Sequence, residues 1–497
     1  MDSRGTPHPD VVVIGAGPAG VTAALRAARL GASTVLTTRD EFGGMAATDG
    51  PVPVRTLAHA ARLMREKRQL PRYGVLTSEP VLDYEQLLAR VREVNHDVRT
   101  HSLLREELGD AGVVIREQAG TASFTDPHTI VSENAPRLKA DKFIVCTGGA
   151  PRPLPLPGFE LTSTHSDAWS LEAVPTTMVV VGAGATGVQL ASIFNAFGSD
   201  VTLVEVAPRI LMTEDPDVAA VVASALRERR ISVIEGAGTI ARFEDCVGGV
   251  RVIATKDGVE CGCEAAVAVV AVGWRASTEG LALHNAGVEL DDRGFVRVDA
   301  QLRTTAEHIF AAGDVNGGVL IAHEATREGN LAAYYAVAGR APGPSAEVSP
   351  IGSFTDPEYA SVGLTEENAR KCHDVVVGLE RLDSLPRAII DGRTTGFCKL
   401  LADADSHALL GCHVVGERAV EIAQLAAVAM AAGMSVSQLA LVPFSFPTYA
   451  NALGRAAVRA AEELQDRGAV TRNPACAPSA ACAASAAGSA VDDATDG

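Results

Sequence analysis

Residues 11–20 read Val11-Val-Val-Ile-Gly15-Ala-Gly17-Pro-Ala-Gly20, an apolar β-branched run that breaks at once into a glycine-rich turn. An Ala-rich helical pattern follows to Leu30, and a second apolar run, Thr34-Val-Leu-Thr37, closes the unit. This is the strand–turn–helix–strand pattern of a dinucleotide-binding unit, in which the glycines let backbone approach a pyrophosphate at the helix N-terminus. A second copy starts at Met178-Val-Val-Val181, turns through Gly182-Ala-Gly184-Ala-Thr-Gly187 and ends at Val201-Thr-Leu-Val204-Glu205. One such turn is weak evidence, but two in the same strand–helix context are strong.

The surrounding chain agrees with an α/β protein of several domains. It has 497 residues, 47% of them hydrophobic, with 47 glycines. The net charge of −18, the 4% aromatic content and the lack of a Lys/Arg run argue against a nucleic-acid partner. No apolar stretch reaches the roughly 18–20 residues of a membrane span, so no membrane partner is expected. The first ten residues carry no signal-peptide core. The nine cysteines are scattered without a repeated spacing. These features together give a cytoplasmic expectation. Cys261-Gly-Cys263 is too tightly spaced for a usual metal or disulfide site. His413 reads as a core histidine, and no metal site is expected.

Between the two units lie a helical stretch (56–93) and a β-rich patch ending Phe143-Ile-Val-Cys146-Thr147-Gly148. After the second come Ala271-Val-Gly273-Trp-Arg275 and the apolar strand closed by Gly313-Asp314. From about 348 to 465 strands alternate with a long apolar helix, and from about 466 the chain turns Ala/Ser/Pro/Asp-rich and aperiodic.

These motifs together resemble the pyridine nucleotide–disulfide oxidoreductases, the group of dihydrolipoyl dehydrogenase and of the glutathione and mercuric reductases. The match is carried by Thr304–Asp314, the Cys146-Thr147-Gly148 turn, His323-Glu-Ala325 with Glu328-Gly329, and Phe354-Thr-Asp-Pro357-Glu358. The resemblance implies two Rossmann-like dinucleotide-binding domains plus an α+β C-terminal dimerisation domain. Residues 1–155 and 280–345 would bind FAD, 156–279 would bind NAD(P), 348–465 would form the dimer interface and 466–497 a disordered tail. The implied assembly is a homodimer with shared active sites.

For FAD the resemblance points to Gly15, Gly17, Gly20, Thr38, Gly43, Gly44, Thr147, Gly148, Gly313 and Asp314, the last as the ribitol holder. Thr38 stands where an acid is expected, and its hydroxyl can still meet a ribose hydroxyl. For NAD the corresponding set is Gly182, Gly184, Gly187, Glu205 and Gly273. A carboxylate at Glu205 accepts from ribose hydroxyls and repels a 2′-phosphate, favouring NADH over NADPH.

The departures decide the chemistry. In the family, residues after the first unit run Gly-Gly-Thr-Cys, four residues, Cys-Ile/Val-Pro-Ser-Lys. Here Gly43-Gly44 and Val52-Pro53 hold that frame, while Ala46 and Pro51 occupy the cysteine positions. Neither can act as a thiolate nucleophile. The partner-supplied His-Pro-Thr…Glu is matched by Phe446-Pro-Thr448 and Asn451, so base and thiols are absent together. Arg55 matches the family's lysine and Gln189 its ion-pair glutamate, leaving a cation beside a neutral amide. Arg55, Gln189 and Tyr449 are the candidate catalytic residues, with Thr48 and Asp49 as further proton donors. Ala46, Pro51, Phe444 and Phe446 are the candidate substrate pocket, the aromatics contributed by the partner.

The expected function is an FAD-dependent NAD(P)H oxidoreductase that reduces a small non-disulfide acceptor such as a quinone or conjugated carbonyl, in specialised metabolism. The alternatives are a soluble transhydrogenase and a non-catalytic flavin- or NAD-binding scaffold. The tail cysteines Cys476 and Cys482 are a poor relay, since such a relay needs a flavin-proximal disulfide.

Overall fold

The computed structural model describes residues 8–48, 50–75, 78, 80–101, 104–341 and 348–469. Asp49, Cys476 and Cys482 lie outside the described residues. Strand Val11–Ile14 is the middle of a five-stranded parallel sheet in the order 309–311, 142–145, 11–14, 34–37, 114–116. All four of its side chains are buried, because helices cover parallel sheets and a continuous apolar run is what such a strand needs. Helix Pro18–Arg29 follows, with proline in its first turn, where a missing N–H costs nothing.

The second sheet repeats the design in the order 232–234, 200–204, 177–181, 267–270, 163–164. Each unit carries a three-stranded antiparallel meander, at 123–139 and 239–265. Cys261 and Cys263 fall in the second of these, in a hairpin strand.

The C-terminal domain is a five-stranded antiparallel sheet (351–353, 359–363, 409–415, 397–403, 375–381) under helices Ala419–Ala431 and Asn451–Ala469. His413 is buried on it, with Nε2 against the Leu364 carbonyl at 2.8 Å. The last helix continues through 466–469, beyond the expected start of the aperiodic tail. Its buried stripe Ala457, Ala460, Ala461, Leu464 runs to its final turns, and Arg467 binds Asp374 and Glu463 there. The helical stretch after residue 50 also differs from its reading. Helix Pro51–Glu66 begins earlier, on a proline suited to a first turn, and a separate helix spans Tyr84–His101. Among the described residues no helix is long and apolar enough to cross a membrane.

Ion clusters lock the units together. Asp356 of the C-terminal domain lies 3.0 Å from Arg65 on helix 51–66 and 2.8 Å from Arg229 in the second unit. Lys399, 3% exposed, reaches Asp215 at 3.0 Å, Asp217 at 2.8 Å and Glu366 at 2.6 Å. Buried ions leave a large penalty when one partner is removed, about 3–5 kcal/mol, which pins the relative placement of the units. Helix 51–66 also inserts Leu57, fully buried, where truncation to alanine costs about 2–5 kcal/mol.

Glu358 is the exception in this junction. Burial, then the neighbouring Glu417 and Glu421, push its carboxyl up to about 7, although Arg62 at 3.6 Å and Arg418 pull the other way. The folded state therefore holds a proton that the unfolded chain, titrating near 4.5, has released. Stability from this group is present below that value and drains away as pH rises through about 7. Glu358→Gln removes the loss. Between pH 5 and 8, wild type should lose on the order of 3 kcal/mol relative to the variant, measured as unfolding free energy against pH.

Candidate functional site

Strand pairing sets the two glycine turns in equivalent places. Ile14 pairs with Thr37 as Val181 pairs with Val204, and Gly15 N–H donates to Thr37 as Gly182 N–H donates to Val204, each at 2.8 Å. Thr38 is thus the geometric counterpart of Glu205. The helix after each turn has no side-chain N-cap, so its first N–H groups are left for a ligand. Glu205 is already engaged: its carboxylate accepts from Ala183 N at 2.7 Å and Ala207 N at 2.8 Å, bracing the second turn. Its further lone pairs stay open to a ribose hydroxyl.

A cavity of about 1120 Å³ opens beside the first turn. Gly15, Gly17, Thr38, Gly44, Thr147, Gly148, Gly313 and Asp314 line it, while Gly20 and Gly43 stand behind the wall. Of the second unit, Ala185, Thr186 and Gln189 line it; Gly182, Gly184, Gly187, Glu205 and Gly273 do not. Gly273 instead takes a left-handed turn (φ +106°) leading into strand Trp274–Ala276. The C-terminal domain adds Ile351, Gly352, Val420 and Gln424. A Cβ on Gly352 would meet Val420 at 2.8 Å, so glycine there lets the helix side chain close the wall.

Ala46 and Pro51 both line the cavity, with Val54 and Arg55 one turn further on. Among the described lining residues Cys146 is the single cysteine, and burial pushes its thiol well above its usual range. Burial also raises the Asp314 carboxyl, whose side chain has no partner beyond its own backbone among the described residues. The turn that presents it is held by Glu328, which accepts from Gly313 N and Asn316 Nδ2, both at 2.7 Å.

Arg55 and Gln189 do not bond each other. The Gln189 amide donates to Ala185 O at 3.1 Å and accepts from Phe354 N at 3.3 Å, and the Arg55 guanidinium stacks on the Phe354 ring. They meet through a residue of the C-terminal domain. The aromatic trio disperses within the protomer. Tyr449 is buried in the C-terminal core with its hydroxyl on Asp391 at 3.2 Å, and burial, then that carboxylate, raises the phenol above its usual range. Phe444 packs against Gly454, leaving Phe446, 74% exposed, to project from the surface. None of the three lines the cavity of its own protomer. Sequence reasoning missed other wall residues: His165 against Trp274 with ring centroids 4.6 Å apart, Trp169, and Val420 with Gln424. The i, i+4 spacing of the last pair was the available signal.

Residues 9–329 match the family of pyridine nucleotide-disulphide oxidoreductases, and 349–457 match the dimerisation domain of that family. The chain belongs to the pyridine nucleotide-disulphide oxidoreductase family. It is 33% identical to the dihydrolipoyl dehydrogenase of Zymomonas mobilis, over 90% of this chain and 96% of that protein. Against the mercuric reductase of Bacillus cereus it is 32% identical over 88% of this chain and 69% of the other. The solved Cu(II) complex of the HOCl-induced flavoprotein disulfide reductase RclA from Escherichia coli superposes with a TM-score of 0.80. That match has 26% identity and covers 91% of this chain and 99% of RclA. The family is FAD-dependent and uses NAD(P)H, and a homodimer fits its dimerisation domain.

The residues present fit FAD. The Gly15–Gly20 turn leaves unblocked helix N–H groups, the Thr147 hydroxyl is buried without a partner, and Asp314 presents a bare carboxylate to the cavity. The glycines divide by what a Cβ would meet. At Gly187 it would lie 1.9 Å from the Gly182 carbonyl oxygen, whereas at Gly184, with φ −72°, nothing stands within 4 Å. Gly187→Ala should therefore lower the melting temperature through overpacking of about 1–3 kcal/mol or more. Gly184→Ala should keep the wild-type melting temperature and raise the dissociation constant for NADH, read by calorimetric titration.

Proposed function

We propose that the chain is an FAD-dependent NAD(P)H oxidoreductase, NADH preferred, that reduces a small non-disulfide acceptor such as a quinone or conjugated carbonyl. One observation carries the reading: the cavity wall presents Ala46 and Pro51 at the positions where relatives are expected to carry redox cysteines. The single described cysteine on that wall, Cys146, is held as a neutral thiol. A disulfide acceptor needs a thiolate to attack it, whereas a quinone takes two electrons without a protein nucleophile.

In this reading residues 1–155 and 280–345 bind FAD, 156–279 bind the pyridine nucleotide and 348–465 pair two protomers. When bound, FAD supplies two-electron chemistry between NAD(P)H and the acceptor. The chain's own residues do the placing. The Gly15–Gly20 turn and its helix N-terminus hold a pyrophosphate, Asp314 and Thr147 hold the ribitol chain, and Thr38 meets the adenosine ribose. The Gly182–Gly187 turn holds the second pyrophosphate, and Glu205 selects ribose hydroxyls over a 2′-phosphate. Ala46, Pro51 and Val54 keep water away from the acceptor side, where dielectric is low and the field of Arg55 is strong. Phe446 of the partner subunit closes that side in the homodimer.

Anaerobic reduction of the FAD-loaded protein tests this. NADH should bleach the flavin's visible absorption with an endpoint of one equivalent per flavin, because no dithiol shares the electrons. An endpoint of two equivalents would sink the non-disulfide reading, and no bleaching would sink the oxidoreductase reading. Turnover with a quinone panel but not with thionicotinamide-NAD+ separates a reductase from a transhydrogenase.

A further inference from the structure

Arg55 is a cation without a counter-ion. It sits in the first turns of helix 51–66 and lines the cavity. Among the described residues it makes no hydrogen bond and no ion pair, and its Nη1 is shielded from solvent with nothing to donate to. Its one close partner is the face of Phe354, whose backbone is in turn fixed by Gln189. The acids that act on it, Glu358 and Glu421, do so only at a distance, and Glu358 is itself drawn to Arg62 at 3.6 Å. Burial lowers the guanidinium to about 10, so it stays charged at neutral pH.

A largely desolvated charge left unpaired is costly, and contact with one ring offsets only part of that cost. The remaining deficit is what an anion entering the cavity would relieve. The cavity that Arg55 lines also has the neutral residues Ala46, Pro51, Val54, Ile351, Val420 and Gln424 on its wall. The two pyrophosphate cradles lie at other helix N-termini, in the turns 15–20 and 182–187. Arg55 instead lines the same cavity as Ala46 and Pro51 and follows Pro51 by one turn on helix 51–66.

We propose that Arg55 is the seat for an anionic group on the acceptor itself, so that the substrate is a flat conjugated molecule bearing a carboxylate or an ionised enol. The planar fork of guanidinium donors matches a carboxylate in two parallel bonds, which a point-charge lysine does not. The carboxylate passes through unchanged. NAD(P)H, one proton from solvent and the quinone give NAD(P)+ and the hydroquinone, the hydride supplying both electrons and the other hydrogen. This inference rests on the acceptor side assigned above.

The test separates the two. Benzoate, which is redox-inert, is titrated into the oxidised FAD-loaded protein and followed by flavin difference spectra. Separately, kcat/KM is compared for carboxy-1,4-benzoquinone and 1,4-benzoquinone. Arg55→Met should raise the benzoate dissociation constant by roughly tenfold or more, the worth of a charge-assisted bond. Arg55→Lys, which keeps the charge but not the planar fork, should bind benzoate more weakly than wild type and more tightly than Arg55→Met. Wild type should prefer the carboxylated quinone, and the preference should collapse toward unity in Arg55→Met. Arg55→Gln, checked by FAD content and melting temperature, replaces the Met variant if that one fails to fold. Equal benzoate binding by wild type and the charge-less variant overturns the proposal, as does a wild type indifferent to the carboxylate. Loss of NADH reduction alone overturns the oxidoreductase reading and leaves the benzoate result standing.

Discussion

Everything at this site depends on two places where backbone touches backbone with no room for a side chain. A Cβ on Gly20 would stand 1.8 Å from the Gly15 carbonyl oxygen, and one on Gly187 stands in the same relation to Gly182. These contacts seat each helix directly on the end of its strand, so its N-terminal N–H groups open at the carboxyl edge of the parallel sheet. Gly15 and Gly182 complete the design with φ above +90°, each pressed against the next strand at Cys146 and Ala271 respectively. The open helix N-termini and the cavity beside the first of them follow from where these helices are allowed to begin. A one-methyl change at either contact moves the whole helix, not a loop.

Given that frame, the cavity's chemistry is set by a third helix and a distant domain. Helix 51–66 starts on Pro51, shortly after the short helix Gly44–Thr48, and this start fixes where Val54 and Arg55 lie on the cavity wall. The C-terminal domain then supplies the wall residues Val420 and Gln424 and the Phe354 ring against Arg55. The junction that holds this domain is unusually rich in ions, with Arg65, Arg229 and Arg393 sharing Asp356. Three guanidinium groups on one carboxylate leave excess positive charge, and burial with its cationic neighbours lowers Arg65 to about 10. Such a cluster contributes specificity of placement more than stability, since unpaired desolvation offsets much of the Coulomb gain.

Local pattern carried most of the fold in the sequence. The strand runs at 11–14 and 178–181 and the paired glycine turns are contiguous, and their physics is local, so their reading matched the sheets found. So did the long apolar helix near 420 and the hairpin around Cys261. The frame Gly43-Gly44 and Val52-Pro53 is equally short and local, and the residues it holds, Ala46 and Pro51, both line the cavity. What pattern could not supply was who meets whom across hundreds of residues. Gln189 finding the Phe354 backbone, Arg55 finding its ring, and Tyr449 spending its hydroxyl on Asp391 all depend on domain docking. Periodicity carries no information about that. The aromatic trio shows the difference: adjacent in sequence, Phe444, Phe446 and Tyr449 point into a helix, solvent and the core.

The missing sulfur and the unpaired arginine are one physical arrangement. In a site with a redox disulfide, a reduced thiolate supplies negative charge on the acceptor side and a cation nearby has something to neutralise. Here Ala46 and Pro51 are neutral and Cys146 is buried as a thiol, so the negative charges on the described wall are fixed carboxylates such as Asp314 rather than a thiolate. A part-buried charge without a partner is costly, and an apolar residue at position 55 would avoid that cost. The Arg55 guanidinium, packed on the Phe354 ring without a hydrogen bond among the described residues, is therefore the group that the proposed anion would pair with. In the proposed reading an anionic acceptor neutralises that charge, and the lowered dielectric of the half-buried site strengthens the pairing. Under that proposal a site without its own thiol nucleophile and a site that favours an anion are two sides of one change in acceptor.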